Sequence, residues 1–351
     1  MSKLDYERNK TSFVDRKLNS RSSIEAFKSA YKALEACVLQ NYGMSLEEKL
    51  EQLKKVKRES EIWDFLQGFV SYLKSKGLTA VSIRSSFKRI KPYVAYRLEF
   101  KIHSEDVKTE IKFPKKQKNK LHGLSKTEIK KILDYAKGRK ALYLTLLSSG
   151  LRIQESVQLK KRDFDTNLER WKINIRASYT KNKTERITFI SKEASDYLKP
   201  ILAALKEDDL VFGLSADSWR STLTEEAYFG RIRERAGLTE KYDSSRTSKI
   251  TLHSFRSYFI TKCEAVNDGM GHALAGHERY MGEYERYSDQ ELIEHYLKVE
   301  PDLAMYDTEI ISKKHTELEE QVKTLTDAVQ ELKNKFVWQP LVEANKQQEK
   351  N

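Results

Sequence analysis

Residues 171–191 read WKINIRASYTKNKTERITFIS. WKINIRASY and ERITFIS alternate apolar with polar side chains, and the polar turn TKNKT joins them, which is the pattern of two strands in a hairpin. The flanking sequence has a different period. ALYLTLLSSG (141–150) is an apolar helix that stops at Gly150, SKEASDYLKPIL (191–202) returns to helical spacing, and the chain from 251 onward is mainly helical. A small sheet set among helices is an α+β arrangement, mainly α.

Upstream of the hairpin, SKTEIKKIL (125–133) opens with a capping box, Ser125 and Glu128, which starts a new helix and with it a new domain. Before it, KFPKKQKNK (112–120) carries five lysines and a proline and reads as an exposed linker. The first hundred residues are helical. EIWDFLQGFVSYLKSKG (61–77) places Trp63, Phe65, Leu66, Phe69, Val70 and Leu73 at helical spacing, with Gly77 as its stop. In VSIRSSFKRIKPYVAYRL (81–98), Ile83, Phe87 and Ile90 face a core while Arg84, Lys88 and Arg89 face outward. At the other end Leu318, Val322, Leu325, Val329, Leu332 and Phe336 are spaced 4, 3, 4, 3, 4. That stripe suits a short coiled coil or an amphipathic helix packed back on the preceding domain. The expected organisation is a helical domain with a basic face at 1–111, a basic linker at 112–124, a mixed domain of helices and a small sheet at 125–307, a coiled-coil-like helix at 308–338 and a polar tail at 339–351.

The 351 residues include 65 Lys and Arg against 52 Asp and Glu, a net charge of +13. A surface of that sign favours a polyanionic partner, most simply nucleic acid. Two cysteines, Cys37 and Cys263, lie far apart without a CxxC motif, so neither a disulfide framework nor a cysteine zinc site is expected and a reducing cytoplasm fits. The start, MSKLDYERNK, lacks an apolar signal region, and no run of about 18 apolar residues occurs anywhere, so neither secretion nor membrane insertion is expected.

Several residues carry chemistry. In SSGLRIQESVQL (148–159), Arg152 follows a glycine turn at a helix start, where backbone amides would add to its attraction for phosphate; an ordinary pairing with Glu155 is compatible with that, since a carboxylate that orients a guanidinium readies it for bidentate contact. The turn between the strands lifts Lys181 and Lys183 onto a hairpin tip, either as a solvated turn or as a mobile general acid, with Lys181 nearer the first strand. TLHSFRSYF (251–259) places His253 and Arg256 three apart, on one helical face, a proton carrier beside a fixed cation. His277, in AGHERYMGEYERYSDQEL (275–292), stands near Tyr280, Tyr284 and Tyr287, and a phenol needs cationic neighbours to attack as phenolate. Together they would bind a phosphodiester, neutralise its transition state, protonate the leaving oxygen and supply a nucleophile.

The ordered set resembles the tyrosine recombinase (phage integrase) family over roughly residues 125–300, and the preceding helical domain with its lysine linker looks like that family's core-binding domain. GLRIQES is similar to the first arginine box, TKNKTERITFI to the hairpin box, LHSFRSYF to the box holding His and Arg, and AGH to the third box, which favours His277 over His272. The slot of the nucleophile in the familiar bacterial members is here Arg286; YERYSDQELIEHYLKVEPDL looks like an archaeal arrangement, which makes Tyr284 the nucleophile with Tyr287 the alternative. The resemblance implies a site-specific recombinase acting as a homo-oligomer on double-stranded DNA. Arg152 and Arg256 would clamp the scissile phosphate with His253 and His277, Tyr284 would form a 3′-phosphotyrosyl link, and Lys181 would protonate the 5′-oxygen. No metal, nucleotide or other cofactor is implied. The rival readings are DNA relaxation of the type IB topoisomerase kind and a non-catalytic oligomeric DNA-binding protein on the same fold.

Overall fold

The computed structural model describes residues 8–56, 58–117, 119–243, 245, 247–267, 269–276, 287–306 and 320–333. The chain forms two compact units, Met1–Lys120 with Tyr242–Arg246, and Leu121–Lys241 with Thr247–Asn351.

The first unit is helical: α1 (Lys10–Lys17), α2 (Arg21–Tyr42), α3 (Leu46–Val56), α4 (Glu59–Ser75), α5 (Ala80–Leu98) and α6 (Ser104–Glu110). Side-chain caps start four of them, Asn9 for α1, Ser20 for α2, Ser45 for α3 and Thr79 for α5, each accepting from a backbone amide of the first turn. Leu34, Val38, Leu66, Phe69, Ile83, Ile90 and Tyr93 fill the core. Ile83, Phe87 and Ile90 are inward as their spacing requires, Lys88 and Arg89 are exposed, and Arg84 is half-buried. The reason for the last lies in the basic segment after α6, which is less idle than its lysines suggest. Phe113 packs edge-on against Phe87 at 5.0 Å, and Arg84 lies 4.4 Å over the Phe113 ring while donating to the Pro114 carbonyl.

The second unit contains α7 (Lys126–Tyr135), α8 (Lys140–Ser149), α9 (Ile153–Ser156), β1 (Phe164–Asp165), β2 (Lys172–Ile175), β3 (Arg186–Phe189), α10 (Lys192–Ala204), α11 (Ser218–Arg235), α12 (Leu252–Glu264), α13 (Met270–Ala275) and α14 (Asp289–Leu303). Ser125 and Glu128 form the capping box that starts α7. The strands make one antiparallel sheet in the order β1-β2-β3. The architecture is mainly helical with a small sheet. Every residue of α8 from Leu142 to Ser149 is buried, so this helix is the axis of the unit, packed by α10, α12, α14 and β3. A helix apolar on all sides can only be central.

The first strand of the hairpin is shorter than its alternation suggests. β2 ends at Ile175 and a 3-10 turn covers Ala177–Tyr179. Buried Asp163 draws this stretch off the ladder, accepting from Arg176 Nε at 2.7 Å and from the Tyr179 hydroxyl at 3.1 Å. Satisfying a buried carboxylate outweighs two more ladder bonds.

Candidate active site

The site begins at the end of α8. Gly150 has φ +64, and a Cβ there would lie 2.3 Å from Phe259 Cδ1, so the chain turns at a position where a side chain cannot fit. The turn delivers Arg152 to the start of α9. Glu155 closes that turn, accepting from the Arg152 amide at 2.9 Å and from Arg152 Nη1 at 2.8 Å. α9 has four residues, so its dipole adds little, and the attraction for an anion comes from side chains instead.

Arg256 rises from α12 and is 2% exposed. Its Nη1 donates to the carbonyls of Gly150 (2.7 Å) and Ala275 (2.5 Å), while its Nη2 is buried with no acceptor among the described residues. Burial, reinforced by Arg152 and Arg186 and opposed by Glu155, pulls the Arg256 guanidinium down to about 10. The cation is short of negative charge, and a phosphate oxygen beside Nη2 would restore it.

His253 lies one residue inside the start of α12 and is exposed, on the same helix as buried Arg256. With Arg152, Gln154, Trp219, Arg233 and Thr251 it lines a cleft of about 500 Å³. Lys181 stands exposed on the hairpin turn, which Thr180 pins by accepting from the Thr184 amide and donating to the Ala177 and Thr184 carbonyls. Its neighbour Lys183 sits in the left-handed region at φ 58. His277 and Tyr284 lie outside the described residues. α13 ends in Gly276 at φ +66, the residue immediately before His277. Tyr287 is half-buried against the second unit's core, just before the Ser288–Glu291 capping box that opens α14.

Thus the structure brings Arg152 and His253 together on one cleft, keeps Arg256 buried on the helix that carries His253, and leaves Lys181 on its hairpin. It also adds a residue that sequence reasoning missed. Arg186, on β3, places Nη2 2.6 Å from Glu155 Oε2 and Nη1 3.3 Å from Oε1. Burial alone would raise the Glu155 carboxyl; the bonds from Arg186 and Arg152 overcome it and hold that group below its ordinary value. Strand parity was the available signal, because Arg186 pairs with buried Ile175 and lies two residues before buried Thr188, on the covered face.

Residues 122–278 match the phage integrase family. A probable integrase/recombinase of Aquifex aeolicus is 25% identical over 257 residues, which are 61% of this chain and 79% of that protein. Tyrosine recombinase XerD of Oceanobacillus iheyensis is 23% identical over 258 residues, 67% of this chain and 83% of that protein. Among solved structures, a lambda integrase dimer bound to a COC' core site shares the fold with a TM-score of 0.52 at 16% identity, over 79% of this chain and 96% of its own. Residues 122–278 are therefore similar to the phage integrase family, the tyrosine recombinases, over somewhat less than half of the chain.

Proposed function

We propose that the chain is a site-specific DNA recombinase that cuts and rejoins strands through a 3′-phosphotyrosyl link, with neither metal nor ATP. The observation that carries this reading is the Arg256 guanidinium, buried with one nitrogen that has no acceptor among the described residues and close enough to Arg152 to feel its charge, while Arg152 itself lines an open cleft. A buried cation left unmatched is costly unless a ligand completes it, and a phosphodiester does so. The net charge of +13 and the lambda integrase relative, solved as a dimer on core-site DNA, support double-stranded DNA as the partner and an oligomer as the working form.

In this mechanism Arg152 and Arg256 hold the non-bridging oxygens of the scissile phosphate, with His253 and His277 beside them. The Tyr284 phenolate oxygen attacks phosphorus, the phosphorus–5′-oxygen bond breaks, and Lys181 gives the departing oxygen its proton. Reversal by another strand's 5′-hydroxyl reseals the backbone and regenerates the tyrosine, so the bond energy is conserved in the link. Residues 1–111 act as a core-binding-like domain and 112–124 as the basic linker. Residues 125–307 carry the chemistry, 308–338 form a helix for assembly, and 339–351 are a polar tail. Acting on chromosomal or mobile-element DNA places the protein at the nucleoid.

A covalent trap tests the reading. The full chain is incubated with nicked duplex fragments of its source genome, denatured in SDS, and attached DNA is recovered, with Tyr284→Phe and Tyr287→Phe in parallel. Adducts removed by Tyr284→Phe alone support the reading and its nucleophile, and joined or excised products distinguish recombination from relaxation. DNA bound without any adduct would refute the enzymatic reading in favour of a binding protein on the same fold.

A further inference from the structure

We infer that Arg186 is a positioning residue for this site, joining the hairpin strand, the Arg152 turn and the segment that leads into His277; this rests on the recombinase reading. Three observations meet on it. Both oxygens of Glu155 are shared between two arginines: Oε1 with the Nη1 atoms of Arg152 and Arg186, Oε2 with the Arg152 amide and Arg186 Nη2. The carboxylate that aims Arg152 is therefore itself aimed from β3. Next, the last three carbonyls at the C-terminus of α13, which the helix leaves unsatisfied, are each taken by a different arginine. Arg186 Nε donates to Leu274 O at 3.2 Å, Arg256 Nη1 to Ala275 O at 2.5 Å, and Arg152 Nη2 to Gly276 O at 3.4 Å. Finally, a Cβ on Gly276 would lie 2.6 Å from Arg186 Cδ and 2.7 Å from its Nε, so the side chain lies directly on the backbone of that turn.

The division of labour among the arginines follows from their free nitrogens. Arg256 keeps a buried Nη2 without an acceptor among the described residues, and the Arg152 side chain is 35% exposed. Arg186 is 10% exposed and points each of its three nitrogens at protein oxygens. It holds while the other two bind. Without it, Glu155 loses the partner that outweighs its burial, the Arg152 fork loses its anchor, and the turn before His277 loses one of its three ties. Lysine supplies the charge without the fork, so it replaces the pairing but not the geometry.

The test uses the full chain on the same nicked duplex fragments, comparing wild type, Arg186→Ala and Arg186→Lys by the single-turnover rate of SDS-stable adduct formation at saturating DNA and by the half-saturating DNA concentration. Misplacing the clamp should slow Arg186→Ala about 100-fold. Half-saturation should stay within about twofold, because many cations share the binding load. Arg186→Lys should recover part of the rate. A wild-type rate in Arg186→Ala overturns the inference, and so does a loss of rate that merely tracks a loss of affinity in both variants. A second readout does not depend on activity: carbon-13 NMR of glutamate-labelled chain, with Glu155→Gln to assign the resonance. Glu155 should titrate at higher pH in Arg186→Gln than in wild type, and an unchanged titration overturns the inference. If wild type forms no adduct, the recombinase reading fails, and the titration alone decides whether Arg186 holds the cluster.

Discussion

Arg256 concentrates the energetic problem of the site, because its charge is buried and, among the described residues, Glu155 is the carboxylate that offsets the cluster of three guanidiniums. Its two carbonyl bonds, worth about 1.5–3 kcal/mol each for a charged donor, stabilise it without neutralising it. Replacing Arg152 or Arg256 by alanine should abolish adduct formation while gel-shift affinity for DNA survives. Arg256→Lys should do the same, since one ammonium cannot reach both the Gly150 and Ala275 carbonyls and still meet a phosphate. Equal loss of binding and cleavage would show that these arginines dominate affinity instead. Glu155 makes the complementary prediction. Its folded carboxyl lies below the ordinary value, so its contribution to stability is complete above that value and fades as pH falls through the lowered one. Glu155→Gln should cost about 3 kcal/mol near neutral pH, as expected for breaking a buried pair, and the two proteins should converge under acid. Urea unfolding across the acid range measures this, and a difference that grows toward low pH would contradict it.

The elements around these residues are ordinary ones placed with little tolerance. Gly150→Ala would set a Cβ 2.3 Å from the Phe259 ring in a backbone region that side chains avoid, so it should lower stability by about 2 kcal/mol or more in denaturant titration. The hairpin separates its two lysines. Lys183 is strained at φ 58, so Lys183→Gly should leave adduct formation intact and relieve up to about 1 kcal/mol. Lys181→Ala should abolish cleavage, and adducts that persist there but vanish in Lys183→Gly would exchange the two roles. What could be read in the sequence follows the same division. The α7 capping box, the Gly150 stop and the alternation of ERITFIS are set by neighbours a few positions apart and were legible. Arg186 was not, because its partners Glu155 and Leu274 lie 31 and 88 positions away, and only the folded hairpin brings them together. The early end of β2 is similar: Asp163, 13 positions before Arg176, overrides a local alternation.

At the scale of the whole molecule, residues 320–333 are a helix whose side chains belong to neither core. Val322, Leu325, Val329 and Leu332 are 61%, 66%, 50% and 53% exposed. A helix of that length is marginal alone in water, and an apolar stripe along it needs a partner. In heptad terms Val322 and Val329 occupy a positions and Leu325 and Leu332 d positions, the β-branched and leucine combination that favours two parallel strands. Across such a seam Gln321 would face Thr326 of a second copy and Ala328 would face Lys333, so no like charges meet. A second copy of this chain is the occupant we propose for the stripe and its flanks. Leu325→Asp with Leu332→Asp should therefore reduce the mass measured by light scattering from dimer to monomer at micromolar concentration. The melting of the two compact units should not change, because neither side chain belongs to their cores. The same variant should still form single-site adducts but lose joined products, since cleavage needs one active site and strand exchange needs several held together. A double variant that keeps its mass, or that loses adducts and joined products in the same proportion, would place assembly elsewhere on the protein.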